Sequence, residues 1–337
     1  LLTSMQEHQK SFGVEDASGN LMPHFLTVLN LHPKDLSLVK KGWERVLRAR
    51  LEDGRFFWKT DLEATFDEWL EALDAVTFLA PLGSMGEKTR RISALCRWLA
   101  EKVQQDPEQA ARAGRLSKAD LVSAMVGEFD TLQGIMGGHY ARFSGETPEV
   151  ALGITDHYRP RFADDDLPRN LAGTVTAFSD KLDTICGIFA IGAGPTGSSD
   201  PFALRRAAIG IVNILLSGLD VSLSELIDVA LGNYRDVVDF DFDAVRDQVR
   251  AFFATRLEVI ARDRGYAPDC IAAVMATGMF EPAETIARID ALQTARDEQP
   301  DTFENLATAY TRAANLADVA LGCEADEALM GTQERAL

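Results

Sequence analysis

The stretch from Gly114 to Arg206 decides how this chain reads. It holds Leu116-Ser117-Lys118-Ala119-Asp120-Leu121, then Glu128-Phe129-Asp130-Thr131-Leu132-Gln133-Gly134-Ile135-Met136-Gly137 and His139-Tyr140-Ala141. Further on come Pro160-Arg161-Phe162-Ala163-Asp164-Asp165-Asp166-Leu167-Pro168, Asp180-Lys181-Leu182-Asp183 and Asp200-Pro201-Phe202-Ala203-Leu204-Arg205-Arg206. Leu171, Val175, Phe178, Leu182, Ile185 and Phe189 recur at helical spacing, and Leu204, Ala208, Ile211 and Leu215 form a second such stripe. The spacing predicts two helices and sets Asp180 and Asp183 on one face of the first.

Outward from this stretch, the pattern stays helical from residue 61 onward. Ile92, Leu95, Cys96, Leu99 and Val103 mark one helix face. Ser222-Leu223-Ser224-Glu225 reads as a capping box ahead of Leu226, Ile227 and Leu231. Residues 144–170, with Pro148, Pro160 and Pro168, read as the longest irregular connection. An acidic seam at Asp236, Asp239, Asp241 and Asp243 marks a boundary near residue 235. A long helix follows, with Val245, Val249, Phe252, Phe253 and Ile260 on its buried face and Gly265 at its end. Pro268 and Pro282 each suit a first helical turn, and Phe303, Leu306, Ala307 and Tyr310 start a last helix. Residues 1–60 differ: Ser11-Phe12-Gly13-Val14 and Phe25-Leu26-Thr27-Val28-Leu29 flank the turn signal Ser18-Gly19-Asn20, which predicts a hairpin.

At 337 residues the chain can hold two or three domains, and 46% hydrophobic residues make it globular. A net charge of -18 excludes a generic polyanion binder with a basic surface, so nucleic acid must be met by a local cationic patch. Cys96, Cys186, Cys270 and Cys323 form no CxxC pair and read as reduced, buried thiols of a cytosolic protein. No apolar run is long enough to span a bilayer, and no signal peptide is visible. The opening Leu1-Leu2-Thr3 lacks a Met and reads as a piece of a longer protein.

Arg45, Arg48, Arg50 and Arg55 form the densest cationic cluster; they either contact phosphate or pair with Glu44, Glu52 and Asp53. Gly192-Ala193-Gly194-Pro195-Thr196-Gly197 fits G-x-G-x-x-G, but a helical stripe precedes it and Ser198 stands where a phosphate loop needs Lys. It reads as a turn that delivers Asp200 as N-cap and Pro201 as the first residue of the next helix. Arg205 and Arg206 then fall in early turns, where the helix dipole disfavours cations by roughly 0.3–1 kcal/mol each. They bind a phosphate or pair with Asp180, Asp183 or Asp200. His139 and Tyr140 offer an imidazole and a stacking ring to RNA, or serve as structural residues. Asp180 and Asp183 are the weak candidates for a metal. No Ser-His-Asp or Cys-His set can be assembled, so no catalytic residue is assigned.

Together and in this order, the strings quoted from Leu116 to Arg206 resemble the β subunit of the two-subunit bacterial glycyl-tRNA synthetase. The resemblance runs through nearly the whole chain. It implies a mainly α fold: residues 1–60 as the end of a β-containing module similar to the editing-type module of phenylalanyl-tRNA synthetase, with a small hairpin. Residues 61–235 would be a helical HD-like domain, and 236–337 the partial helical anticodon-binding domain, similar to that of arginyl-tRNA synthetase. HD phosphohydrolases need a His on an early helix and a His-Asp pair; Ser117-Lys118-Ala119-Asp120 has no His, and no Asp follows His139 or His157. The resemblance therefore implies a degenerate, non-hydrolytic domain.

It further implies glycine–tRNA ligase as the activity, with ATP and magnesium forming a glycyl-adenylate mainly on the α subunit. No cofactor is expected on this chain, and the partners are that α subunit and the tRNA for glycine, without DNA or membrane. The implied tRNA contacts are Arg45, Arg48, Arg50, Arg55, Arg205, Arg206, His139 and Tyr140. An HD-type metal-dependent phosphohydrolase and a non-catalytic helical scaffold are the rival readings.

Overall fold

The computed structural model describes residues 5, 6 and 10–316, so Cys323 lies outside the described residues. The predicted hairpin forms. Strand β1 (Ser11–Glu15) pairs antiparallel with β2 (Leu21–Thr27), Ser11 opposite Thr27 and Glu15 opposite Leu21. The Asp16 carboxylate shapes the turn by accepting from the Ser18 and Asn20 N–H groups at 2.8 and 2.9 Å. Gly19 sits there at φ +79°, the left-handed region that favours glycine. Val28 and Leu29, predicted as strand, lie beyond β2.

Helix α1 (Leu36–Glu63) starts at Asp35, whose carboxylate accepts from Ser37 N and Leu38 N. It carries the whole Arg45–Arg55 cluster and runs on past residue 60, so the expected division between residues 60 and 61 falls inside a helix. A buried carboxylate ties the C-terminal end of α1 to residues 124–140. Asp61 accepts from the N–H groups of Ala124 and Met125, at 2.7 and 3.0 Å, and from the Tyr140 hydroxyl at 2.5 Å.

Helices α2 (Phe66–Asp74) and α3 (Met85–Lys102) each begin on a complete capping box, Thr65 with Glu68 and Ser84 with Glu87. Between them, β3 (Thr77–Leu79) and β4 (Gly83–Ser84) form a small second hairpin. Next come α4 (Pro107–Leu116), α5 (Ala124–Glu128), α6 (Ile135–Phe143) and α7 (Pro148–Asp156). A Cβ at Gly114 would lie 3.2 Å from the Ser93 backbone, so the glycine is what lets α4 lie so close to α3. Helix α7 occupies part of the segment predicted as irregular. Thr147 caps it, Pro148 opens it, and Val150, Ala151 and Ile154 bury its inner face. Its apolar stripe is too short to stand out between three prolines.

Helix α8 (Leu171–Ala190) is the centre. Apart from Leu171, Thr174 and Thr184 every residue is buried, so the helix is enclosed by neighbours on all sides. Against it pack α9 (Leu204–Leu216), α10 (Leu223–Gly232) and α11 (Phe242–Asp263), together with α3, α4 and α7; α12 (Pro268–Met275) lies on α11, α13 (Pro282–Glu298) lies on α9 and α12, and α14 (Pro300–Leu316) follows α13. Pro268 and Pro282 open their helices as predicted, and Gly265 at φ +87° ends α11. The start of α10 departs from expectation. Ser222 caps Glu225 N, but the Glu225 carboxylate pairs with Lys102. Glu281, at the start of α13, instead accepts from Leu223 N and Ser224 N at 2.7 and 3.2 Å.

Two apolar clusters hold the chain. One joins α2, α4, α6 and α7 with the end of α1. The other runs from Leu82 and α3 through α8 to Ile289 of α13. The acidic seam near residue 235 coincides with a turn between helices, while this second cluster continues across it. Cys96, Cys186 and Cys270 are free and buried. No helix among the described residues is long and apolar enough to cross a membrane.

Asp61→Ala strips two helix-start N–H groups and a tyrosine hydroxyl of their shared acceptor. A loss of about 2–4 kcal/mol is expected, read as a lowered urea midpoint, with Tyr140→Phe costing about 1 kcal/mol.

Candidate functional site

The buried polar centre of the molecule lies on the face of α8 that carries Asp180 and Asp183. Opposite, α3 carries Lys88 and Arg91, also three residues apart, so the two helices present matching pairs of charge. Lys88 Nζ lies 2.9 Å from Asp183 Oδ2, 3.2 Å from Asp180 Oδ1 and 2.7 Å from the Thr184 hydroxyl. Arg91 Nε donates to Asp183 Oδ1 at 3.0 Å, its guanidinium lying over the Tyr234 ring. Lys118 completes the set, 2.7 Å from Asp180 Oδ2 and 2.9 Å from His157 Nε2. His157 Nδ1 faces the Ile154 carbonyl at 2.6 Å, an acceptor only. That assigns the proton to Nδ1 and leaves Nε2 to accept from the Lys118 ammonium.

Burial sets the titration of this centre, and charge partners modify it. Burial pushes the Lys118 ammonium down, with Asp180 opposing. Burial and Lys118 together hold His157 well below its ordinary value, so the imidazole is neutral. Burial raises the Asp180 carboxyl, but Lys118 and Lys88 outweigh it and keep Asp180 well below the usual carboxylate range. Beside this set, Lys181 donates to the carbonyls of Arg159 and Tyr158 at 2.8 and 3.2 Å, and burial lowers it to about 8. Asp120 accepts from Gly134 N and Gly137 N at 2.6 and 2.8 Å, fixing the start of α6; burial pushes its carboxyl up to about 6.

This arrangement does not fit a metal. Both oxygens of Asp183 and both of Asp180 already face ammonium or guanidinium groups. Lys118 Nζ fills the position that a cation shared by His157 and Asp180 would take. Among the described residues no group of three or more His, Cys, Asp or Glu is arranged to hold an ion.

The predicted contact residues divide into free and engaged side chains. Arg45 and Arg48 are exposed on α1, and no partner is found for either among the described residues. Arg50 meets Glu128 at 3.2 Å, and Arg55 lies 3.9 Å from Glu52. Arg205 and Arg206 fall in the first turn of α9 as predicted, though that helix starts at Leu204 and Pro201 lies before it. The N-cap is Ala203 and not Asp200 as predicted, although the Asp200 carboxylate accepts from Leu204 N and Arg205 N at 2.9 and 3.0 Å. The Arg205 guanidinium donates to the Gly197 carbonyl at 2.6 Å, while Arg206 is exposed without a described partner. Neither pairs with Asp180 or Asp183, which the lysines and Arg91 have taken.

His139 is exposed on α6, but Tyr140 is 2% exposed. Its ring stacks on Trp58 at 5.2 Å and its hydroxyl is held by Asp61, so it offers no face to a base; as an RNA contact it is corrected to a core residue. Sequence reasoning passed over Lys88 and Arg91, and gave no role to Lys118 or His157 beyond the missing His-Asp pair. The available signal was the i, i+3 spacing of Lys88 and Arg91 beside the apolar stripe of α3, which mirrors that of Asp180 and Asp183.

The fold and this centre define a mainly helical protein whose central acidic pair is ion-paired with Lys88, Arg91 and Lys118. A profile of the family described as "Glycyl-tRNA synthetase beta subunit" matches residues 1–276. The "Glycine--tRNA ligase beta subunit" of Nitratidesulfovibrio vulgaris (strain DP4) is 52% identical over 322 residues, covering 94% of this chain and 46% of the relative. The protein of that name from strain DSM 19637 / Miyazaki F is 62% identical over 236 residues, 69% of this chain and 34% of the relative. That from Desulforapulum autotrophicum is 43% identical over 345 residues, 98% and 50%. The chain belongs to the glycyl-tRNA synthetase β-subunit family, and it spans about half the length of the curated relatives it matches.

Two outcomes test the electrostatics. Lys118→Met leaves Asp180 and His157 without their shared cation and is expected to cost about 3–5 kcal/mol in urea unfolding, with Lys118→Met/Asp180→Leu recovering part of the loss. Asp120 has a folded-state pKa raised from 3.8 to about 6. Its contribution is therefore complete below 3.8 and lost as pH rises through about 6, a change on the order of 3 kcal/mol. Asp120→Asn should remove that part of the pH slope while keeping an acceptor for Gly134 and Gly137; a variant with the parental slope between pH 4 and 7 contradicts it.

Proposed function

We propose that this chain works as part of the β subunit of a glycine–tRNA ligase, supplying tRNA recognition to the ATP-dependent attachment of glycine to its tRNA. The observation that carries the reading is 52% identity over 94% of the chain to a relative of that name. The adenylate chemistry, with ATP and magnesium, belongs on an α subunit that binds this one, in the cytoplasm. The chain's own part is positional. Guanidinium groups give phosphate contacts that fix the register of an RNA without reading its sequence. Arg45, Arg48 and Arg206 suit this because no carboxylate among the described residues competes for them.

The acidic remainder, at a net charge of -18, repels phosphate elsewhere and confines contact to such patches. A metal-dependent phosphohydrolase is disfavoured by the lysine seated between His157 and Asp180. A pure scaffold differs in having no salt-dependent affinity for RNA.

Arg45→Ala/Arg48→Ala, made in the β subunit assembled with its α subunit, is expected to weaken binding of the tRNA for glycine roughly tenfold. The slope of log affinity against log salt should fall by roughly 1 to 2. Unchanged affinity and slope would exclude these arginines as contacts.

A further inference from the structure

A cleft of about 460 Å³ opens beside the buried charge centre, with Gln133, Tyr158, Arg161, Lys181, Phe202 and Arg206 in its lining. We propose that this cleft binds one nucleotide unit, its phosphate held by Arg206 and Arg161 and its base laid against Phe202.

Charge points to an anion. Three cationic side chains line the cleft against one carboxylate, Asp180, and that carboxylate is already faced by Lys118 at 2.7 Å and Lys88 at 3.2 Å. The cleft is therefore locally positive in a chain of net charge -18. Arg206 has no ion pair or hydrogen bond among the described residues, and it sits in the first turn of α9, where the helix dipole disfavours a cation. No described residue pairs with this guanidinium, and a phosphate would supply it a charge-assisted, bidentate partner. Arg161 is 54% exposed at its side chain and meets Asp165 only at 3.8 Å, so it too can turn to a ligand. Lys181, pinned by the Arg159 and Tyr158 carbonyls, adds fixed positive charge to the lining.

Shape and polarity point beyond a bare phosphate. Phe202 is 36% exposed and shares the lining with Ile135, Pro160, Ala203 and Ala207, an apolar wall suited to a flat ring. The volume falls within the range of small-ligand clefts, roughly 300–1,000 Å³. Such a unit is either an unpaired nucleotide of an RNA or a free mononucleotide. The first source rests on the tRNA-binding reading above, and the second does not.

The test uses the β subunit assembled with its α subunit, the variants Arg206→Ala and Phe202→Ala, and two probes at fixed salt: the tRNA for glycine and adenosine 5′-monophosphate. Arg206 is exposed, so Arg206→Ala should keep the parental thermal midpoint, whereas Phe202 is 36% exposed and Phe202→Ala is compared with the parent at a temperature where both are folded. Each variant is expected to lose five-fold or more in affinity for at least one probe, and Arg206→Lys to recover part of it. A loss with the tRNA identifies an RNA nucleotide as occupant, and a loss with the monophosphate alone identifies a free one. Parental affinity for both probes in both variants overturns the proposal. If Arg45→Ala/Arg48→Ala loses tRNA while the cleft variants do not, the cleft fails and the tRNA-binding reading stands. If the parent binds no tRNA but Arg206→Ala loses the monophosphate, the reverse holds.

Discussion

The structure depends on the neutralisation of two carboxylates inside its central helix. Helix α8 is buried nearly all round, yet it carries Asp180, Lys181 and Asp183 into the core. An ionised carboxylate in such surroundings costs several kcal/mol unless it is paired and hydrogen-bonded. Lys88 and Arg91 of α3 and Lys118 after α4 meet that requirement from two directions. They fix the rotation of α8 about its axis, because turning the helix would leave each carboxylate against aliphatic side chains. An apolar helix packed on apolar helices has many near-equivalent settings; one with two charges has few.

The same pairing shapes what the centre can do chemically. Once the Lys118 ammonium lies between His157 and Asp180, the imidazole is held neutral and the carboxylate ionised, and neither is free to ligate or to exchange a proton with a substrate. The centre is then a rigid floor. Lys181, one residue along α8 from Asp180, reaches the carbonyls of Tyr158 and Arg159 and ties that floor to the segment leading to Arg161. Rigidity in the core thus reaches the walls of an open cleft through one helix.

Much of this was legible in the sequence where the signal is local. The stripes of α3, α8 and α9, the prolines opening α12 and α13, and the placement of Arg205 and Arg206 in a first turn follow from spacing and from backbone preferences within one element. What was not legible depends on partners far apart in the chain. Lys118 lies 62 residues from Asp180 and 39 from His157, and no periodicity relates them. Tyr140 comes directly after the exposed His139 in sequence, but the helix turns it inward to Asp61, which is 79 residues away. Glu225 completes a capping box on paper, yet its carboxylate goes to Lys102, 123 residues away, and Glu281 from a distant helix accepts from Leu223 N and Ser224 N beside the Ser222 cap. In each case a long-range acceptor or donor displaced the local one.

The distinction between engaged and free arginines arises from the same competition. A guanidinium beside a carboxylate or carbonyl is held by its neighbour, as Arg91, Arg50 and Arg205 are. In a chain with 52 acidic and 34 basic residues, most cations should find such a neighbour, so an arginine left without one is the informative case. Arg45 and Arg48 on the outer face of α1, and Arg206 at the cleft, are left that way among the described residues. Internal pairing stabilises the fold and removes a group from recognition; an unpaired guanidinium adds little to folding and keeps its full donor set for an outside anion. The acidic excess sharpens this division, since it lowers affinity for phosphate everywhere except where carboxylates are absent or already neutralised.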